Sequence, residues 1–170
     1  MFKKTNFLVF SMLSALSSNV NAEETSNRVA AKSDWSVFVG DNPKECWAVS
    51  APKEIENKRN GVKVKVKRGQ IQLFAIFRPV DKVDGQIAFT GGYPFADGRN
   101  ISMKIDDATY ELPTEGEWAW PPNIDDDEKI IAAMKRGAKA IITAQSKRGT
   151  VTKDTFSLLG FTPALKEAKK

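Results

Sequence analysis

The residue types that most often perform catalysis or bind metal are nearly missing from this sequence. The chain has 170 residues, no histidine and a single cysteine, Cys46. A serine–histidine or cysteine–histidine catalytic pair therefore cannot be built from it. One thiolate without imidazoles also cannot form a closed zinc site. We expect no catalytic residues, no metal and no cofactor, and we interpret the sequence as that of a binding or structural protein.

Other groups with chemical potential have simpler explanations. A hydrolase without histidine remains an alternative, but Ser146 and Ser157 would need a lysine or carboxylate partner that the sequence does not indicate. The acidic run 125–128 lacks the alternating ligands and mid-loop glycine of an EF-hand calcium site. It is instead typical of the start of a helix, where acidic side chains favour the helix dipole.

Two stretches supply the candidate binding residues. Lys63, Lys65 and Lys67 alternate with valines, which predicts a strand with one cationic face. This face would suit lipid headgroups or another anionic surface, although we favour an edge strand that lysines protect from aggregation. Trp118 and Trp120 share one face of an extended segment. They could form a ligand platform, and burial in the core is the interpretation that we favour.

The N-terminal segment predicts export. A basic start, an apolar run at 7–16 and small residues before position 23 match a secretory signal peptide over residues 1–22. Its removal takes away Lys3 and Lys4, which lowers the formal net charge from +5 to +3. This mild charge does not favour nucleic acid. We expect a periplasmic protein, with peripheral envelope association as an open alternative and an undetermined oligomeric state.

The remaining sequence indicates one domain built mainly from strands. Residues 23–33 are polar and predict a flexible leader, and the domain is expected over 34–168. Short apolar or alternating runs between frequent turn signals predict an all-β sandwich or barrel, of which we favour the sandwich; they lie at 35–39, 46–49, 62–66, 71–77, 86–90, 101–105, 110–112, 140–144 and 152–158. A single helix is predicted near 125–136, with Asp125 as its N-cap and Gly137 as a left-handed terminator.

The C-terminal third resembles the invasion-associated locus B (IalB) family of exported alphaproteobacterial proteins. The resemblance rests on these segments: 133–137 (AMKRG), 146–150 (SKRGT), 152–158 (TKDTFSL) and 160–165 (GFTPAL). Further matches lie upstream, at Trp35, 46–48 (CWA), 52–54 (PKE), 92–95 (GYPF) and 114–120 (TEGEWAW). The similarity therefore covers nearly all of the chain after the predicted leader.

The resemblance implies an immunoglobulin-like β-sandwich with no established catalytic residues. It also implies a role in virulence, such as invasion of erythrocytes, through a protein or glycan partner that the sequence does not identify. A periplasmic hydrolase and a module that binds glycans or lipid headgroups are the alternatives. Relatives usually carry a second cysteine just after the segment that ends here at Lys170. Cys46 is expected to be a buried small apolar residue, an unpaired and reactive thiol, or one that pairs with a cysteine outside this sequence.

Overall fold

Two antiparallel sheets and two helices make up the fold. The computed structural model describes residues 27–42 and 44–170, so the predicted signal peptide at 1–22 lies outside the described residues. One sheet has seven strands in the order β1 (Arg28–Lys32), β2 (Trp35–Asp41), β3 (Lys44–Ser50), β6 (Gln72–Arg78), β7 (Val83–Thr90), β11 (Trp118–Ala119) and β10 (Thr114–Glu115). The other has six, in the order β5 (Val62–Lys63), β4 (Glu54–Arg59), β13 (Val151–Ser157), β12 (Lys139–Gln145), β8 (Ile101–Ile105) and β9 (Ala108–Leu112). A 3-10 turn at Pro79–Asp81 joins β6 to β7, and the helices are α1 (Ile124–Arg136) and α2 (Phe161–Ala168).

The core lies between the sheets, as alternation along the strands requires. In β6 the side chains of Leu73, Ala75 and Phe77 are buried, and the residues between them are half-buried on the opposite face. Phe89 of one sheet meets Phe156 of the other in an edge-to-face contact, with ring centroids 6.0 Å apart. The predicted all-β sandwich is therefore confirmed. Among the described residues, no helix has the length and apolarity needed to cross a membrane.

The predicted helix is present, but its ends differ from the prediction. Asn123, and not Asp125, is the N-cap, and its side chain accepts a hydrogen bond from the Asp126 amide at 3.0 Å. Gly137 follows the helix with a φ of −76°, so it is not left-handed. A Cβ at this position would lie 2.7 Å from Ile105 Cγ2. Gly137 is therefore needed for close packing against β8 and not for its backbone conformation.

The second helix, α2, was not predicted. It is only eight residues long and contains a proline in its first turn, a position that tolerates proline. Its buried residues are Phe161, Ala164, Leu165 and Ala168, which follow the helical spacing i, i+3, i+4, i+7. The Phe161 ring packs on the ring of Trp35, with centroids 4.9 Å apart. This spacing was the sequence signal that could have found the helix.

The prediction of a flexible leader over 23–33 is wrong for residues 28–32. Residues Arg28–Lys32 form strand β1, which pairs with β2 in antiparallel register from Lys32 opposite Trp35 to Arg28 opposite Phe38. The strand is held by backbone hydrogen bonds to its neighbour, and most of its side chains are exposed. Its sequence, RVAAK, does not alternate between apolar and polar residues, so no side-chain period indicated the strand.

The prediction of a strand that carries Lys63, Lys65 and Lys67 is also largely wrong. Only Val62–Lys63 form a strand, β5, which lies at the edge of the six-stranded sheet. The Val64 amide still donates to the Asn57 carbonyl of β4 at 2.9 Å, and after it the chain leaves that sheet and crosses to β6 in the other one. The crossing is fixed by Arg68, whose guanidinium is buried against Asp154, and by a hydrogen bond from the Gly69 amide to the Gly92 carbonyl at 2.8 Å. This buried ion pair and not the valine alternation determines the path of the segment.

Candidate functional site

Large aromatic side chains occupy the outer surface of the seven-stranded sheet. Phe38 and Trp47 stack across β2 and β3, with ring centroids 5.9 Å apart and planes 10° from parallel. Phe74 on β6 contacts Trp118 on β11 at 5.6 Å, and Trp118 stacks on Trp120 at 5.8 Å. We call these five residues the aromatic face.

The aromatic face corrects the favoured interpretation of the tryptophan pair. Trp118 pairs with Thr90 of β7, and its neighbour Ala119 is the residue that points into the core. The Trp118 side chain is 38% exposed, and Trp120 is half-buried. The two rings share one face of the chain as predicted, but that face is the outside of the sheet. The indoles are therefore available to a ligand.

The three candidate lysines do not act as one surface. Lys63 and Lys65 line a shallow cavity beside β4, where Lys63 lies 3.5 Å from the Glu56 carboxylate. Glu54 and Lys153 also line this cavity, so its charges are mixed. Lys67 lines a different cavity, on the far side of Val66. Of the three lysines, only Lys67 lies in a cavity that is lined by several further cationic side chains.

This second site, the basic cavity, has a volume of about 590 Å³. Its cationic side chains are Arg59, Lys67, Arg68, Lys147 and Arg148. They come from the end of β4, from the crossing segment and from the turn between β12 and β13. Residues 92–94 complete the wall, and Glu117 is the carboxylate that lines it. The sequence could not assemble this set, because its members are separated by up to 89 positions along the chain.

The floor of the basic cavity is a buried ion pair. Arg68 donates to both carboxylate oxygens of Asp154 at 2.7 and 2.6 Å, and its Nε donates to the Gly91 carbonyl at 2.9 Å. The two side chains are 5% and 0% exposed. The Arg68 guanidinium also lies 4.9 Å from the centre of the Tyr93 ring. Burial raises the pKa of Asp154, and the arginine opposes this effect.

Tyr93 and Gly92 close the cavity from the other sheet. Tyr93 is hydrogen-bonded through its hydroxyl to Thr152, and burial raises its pKa to about 12, so the phenol stays protonated. Gly92 has a φ of +70°, and a Cβ there would lie 2.6 Å from the carbonyl carbon of Gly69. A side chain at this position would therefore push the crossing segment away from the sheet.

Comparison with known proteins shows the family to which the chain belongs. The family model described as invasion associated locus B (IalB) protein matches residues 35–169. The chain belongs to the IalB family. Its fold is similar to the crystal structure of invasion associated protein B from Bartonella henselae, with a TM-score of 0.54 and 16% sequence identity. That match covers 82% of this chain and 94% of the other, and at this identity it shows the fold alone. No curated protein matches the sequence.

The structure explains the C-terminal segments that resemble the IalB family. Thr152, Asp154 and Phe156 are all buried on one face of β13, as their spacing predicted. Asp154 is paired with Arg68, which lies 86 positions away in the chain. Trp35 donates through Nε1 to the Ser157 carbonyl at 3.1 Å. The segment therefore ties both sheets together.

The two serines considered as nucleophiles in this IalB-family protein have local partners. The Ser146 hydroxyl accepts the Thr150 amide at 3.1 Å and stabilises the turn between β12 and β13. The Ser157 hydroxyl accepts the Leu159 amide at 3.2 Å. Both bonds are side chain to backbone bonds of the kind that shape turns. In residues 27–42 and 44–170, no cluster of three carboxylate or thiol side chains could hold a metal ion.

Asp127 is a second buried carboxylate, and it completes the edge of a strand. Strand β11 pairs with β7 only at Phe89 and Thr90, so the Ile87 amide lies beyond that pairing. Asp127 of α1 accepts this amide at 2.7 Å. Burial raises the pKa of Asp127 to about 6, against the effect of the amide bond. This carboxylate has a structural role, because it replaces a neighbouring strand.

Cys46 lies on the inner side of β3 and is 5% exposed. It pairs across the sheet with Phe77, and its neighbour Trp47 points the other way onto the aromatic face. A cavity of about 400 Å³ beside it is also lined by 168–170 at the end of the sequence. The thiol is thus a buried group next to the C-terminal residues, and its reactivity stays a prediction to be measured.

Proposed function

We propose that this protein is an exported, non-enzymatic envelope protein of the IalB type that acts by binding a protein partner through its aromatic face. The observation that carries the proposal is the row of contacting rings formed by Phe74, Trp118 and Trp120 on the outside of the sheet. Tryptophan and phenylalanine are enriched at the centres of protein interfaces, because they bury much area at a low cost in conformational entropy.

The width of the aromatic face favours a protein over a single sugar ring. Its side chains extend from β2 across β3, β6 and β7 to β11. Five adjacent strands span about 19 Å at the usual strand spacing. Ile76 and Val49 fill the space between the Phe38–Trp47 pair and Phe74, since they are the cross-strand partners of Trp47 and Phe74. A continuous surface of this width approaches the dimension of one side of a standard interface.

The biological setting follows from the family and the N-terminal segment. The proposed export rests on the signal-peptide pattern of residues 1–22. We further propose that contact with a host cell, such as an erythrocyte, is one use of the binding surface. The family name supports this role, which would contribute to invasion.

Site-specific photocrosslinking in living cells tests the proposal. A photoreactive residue in place of Trp118 should form an adduct with one protein partner, and Phe74→Ala should reduce the yield at least about tenfold, as expected for a hot-spot aromatic. The matched control position is Ile124 on α1, which is 73% exposed but lies outside the aromatic face. Equal adducts from both positions, or no adduct from Trp118, would show that the face is not the binding surface.

The same variants separate the partner classes and the host role. Purified protein with Phe74→Ala should bind erythrocytes less well than the unchanged protein, and Ile124→Ala should bind equally well. Binding to a glycan panel that requires Trp118, with no protein adduct, would replace the protein partner by a glycan.

A further inference from the structure

The basic cavity carries more positive charge than its own structure uses. Arg68 is neutralised by Asp154, and Lys147 lies 2.9 Å from the Asp97 carboxylate. Arg59, Lys67 and Arg148 line the same cavity without an ion pair to any described carboxylate, and Glu117 is the one acid that faces them. Three cations therefore face a single carboxylate. All three side chains are exposed, so their positive potential can attract an anion from solution.

The turn between β12 and β13 holds one arginine of the cavity and carries another. Arg59 donates to the Thr150 hydroxyl at 2.8 Å, and Thr150 is itself held by the bond between its amide and Ser146. This contact fixes the guanidinium of Arg59 while leaving its other N–H groups free for a second acceptor. Arg148 projects from the same four-residue turn, in which Gly149 bonds back to Ser146 at 2.8 Å. The turn thus holds the guanidinium of Arg59 and also carries Arg148, whose exposed side chain can reach the same cavity.

Arg68, at the floor of the cavity, is not the group that binds an anion. Arg68 already uses four hydrogen bonds within the protein, to Gly91, to Asn57 and to both oxygens of Asp154. Its role is to support the rim, so the binding groups must be the partly exposed cations above it. This separation of a rigid floor from a charged rim is the arrangement expected of a preformed ligand site.

The shape and lining of the cavity indicate the chemical class of the ligand. Arginine guanidinium groups bind tetrahedral oxyanions through paired N–H donors. A volume of about 590 Å³ exceeds what an inorganic ion fills and lies within the range of small-molecule sites. The remaining wall includes Val66, Tyr93 and Pro94, whose apolar surfaces can pack against the face of a sugar ring. We propose that the basic cavity binds a saccharide that carries a phosphate or sulfate ester. This site is separate from the aromatic face, and it does not depend on the function proposed above.

Calorimetric titration of the purified protein tests this site. The probes are glucose 6-phosphate, a 6-O-sulfated disaccharide, glucose and inorganic phosphate, each at low and moderate salt. The expected result is that at least one ester binds, with an affinity that falls as salt rises, and that glucose does not bind. Whichever of the two esters binds more tightly identifies the source as a phosphorylated or a sulfated glycan.

Matched variants decide whether the cavity is the binding site. Arg148→Gln and Arg59→Gln should each weaken the ester at least about tenfold, the loss expected when one charged hydrogen bond is removed. Lys65→Gln makes the same charge change in the neighbouring cavity and should leave the affinity unchanged. Circular dichroism would verify that each variant is folded.

Three outcomes would overturn the proposal. They are binding of neither ester, equal loss in Lys65→Gln, and inorganic phosphate binding as tightly as the esters. The first two would show that the cations act only as a diffuse charge, and the third that no saccharide is recognised. Because Phe74→Ala leaves this cavity intact, its effect on partner capture tests the aromatic face independently.

Discussion

The aromatic face and the basic cavity are two candidate binding surfaces built in different ways. The aromatic face uses alternate residues of regular strands, so each side chain rests on a backbone that the sheet already holds. The basic cavity uses turns and a crossing segment, and it depends on the buried pair between Arg68 and Asp154. We therefore expect substitutions on the aromatic face to change binding more than folding stability. Substitutions beneath the cavity should change both.

The largest expected effect comes from breaking the cavity floor. Arg68→Met would leave Asp154 buried without its cation, which typically costs about 3–5 kcal/mol of folding stability. Urea denaturation should show this loss, and the double variant Arg68→Met with Asp154→Leu should recover much of it. Arg59→Met on the exposed rim is the matched control, with an expected cost below about 1 kcal/mol. Equal costs for the two single variants would contradict the distinction between floor and rim.

The next effect compares the two buried carboxylates. Asp127 accepts one amide, from Ile87, whereas Asp154 has a paired arginine. The pKa of Asp127 is raised from 3.8 to about 6, so the folded protein holds this proton more tightly than the unfolded chain. The resulting stability is present below pH 4 and is lost as the pH rises to about 6, by up to about 3 kcal/mol.

Asp127→Asn isolates this effect, because the amide oxygen can still accept from Ile87. At pH 4 the variant and the unchanged protein should have similar unfolding free energies. At pH 7 the variant should be more stable, by up to about 3 kcal/mol. Urea melts at several pH values would measure the difference. A difference that does not change with pH would mean that Asp127 titrates as it does in water.

The smallest expected effect on folding stability comes from Cys46, which lies on the inner side of β3 beside Trp47. Cys46→Ala removes one buried sulfur and should cost about 1 kcal/mol. In the unchanged protein, a thiol reagent should label Cys46 slowly under native conditions and rapidly in urea, since the thiol is 5% exposed. Fast native labelling would instead show that the region near 168–170 opens readily.

Regular strands were the part of the fold that could be predicted. The alternation in 101–105 and the apolar run at 71–77 gave strands close to β8 and β6. Strand β4 escaped prediction because its sequence, EIENKR, is polar on both faces and is held by pairing with β13. In the same way, β1 depends on backbone bonds to β2. Pairing energy of this kind leaves no trace in side-chain period.

In the candidate sites, too, local spacing predicted part of the arrangement and long-range contacts decided the rest. Trp118 and Trp120 were chosen from their spacing, and the prediction that they share one face holds. Which face it is depended on Ala119 entering the core. Of the lysines, Lys67 reaches the basic cavity and Lys63 does not, because the chain leaves the sheet between them. Arg68 on the crossing segment is paired with Asp154, and a local pattern cannot report a partner 86 positions away.

The sequence by itself determined the chemistry available and the class of fold. A chain without histidine and with one cysteine limits catalysis, and short alternating runs require a sandwich to bury their apolar sides. Only the tertiary structure decided where charge and aromatic area accumulate. Arg59, Lys67 and Arg148 come together because two sheets and a crossing segment close around the pair of Arg68 and Asp154. Composition fixes which groups exist, whereas long-range pairing fixes which of them meet.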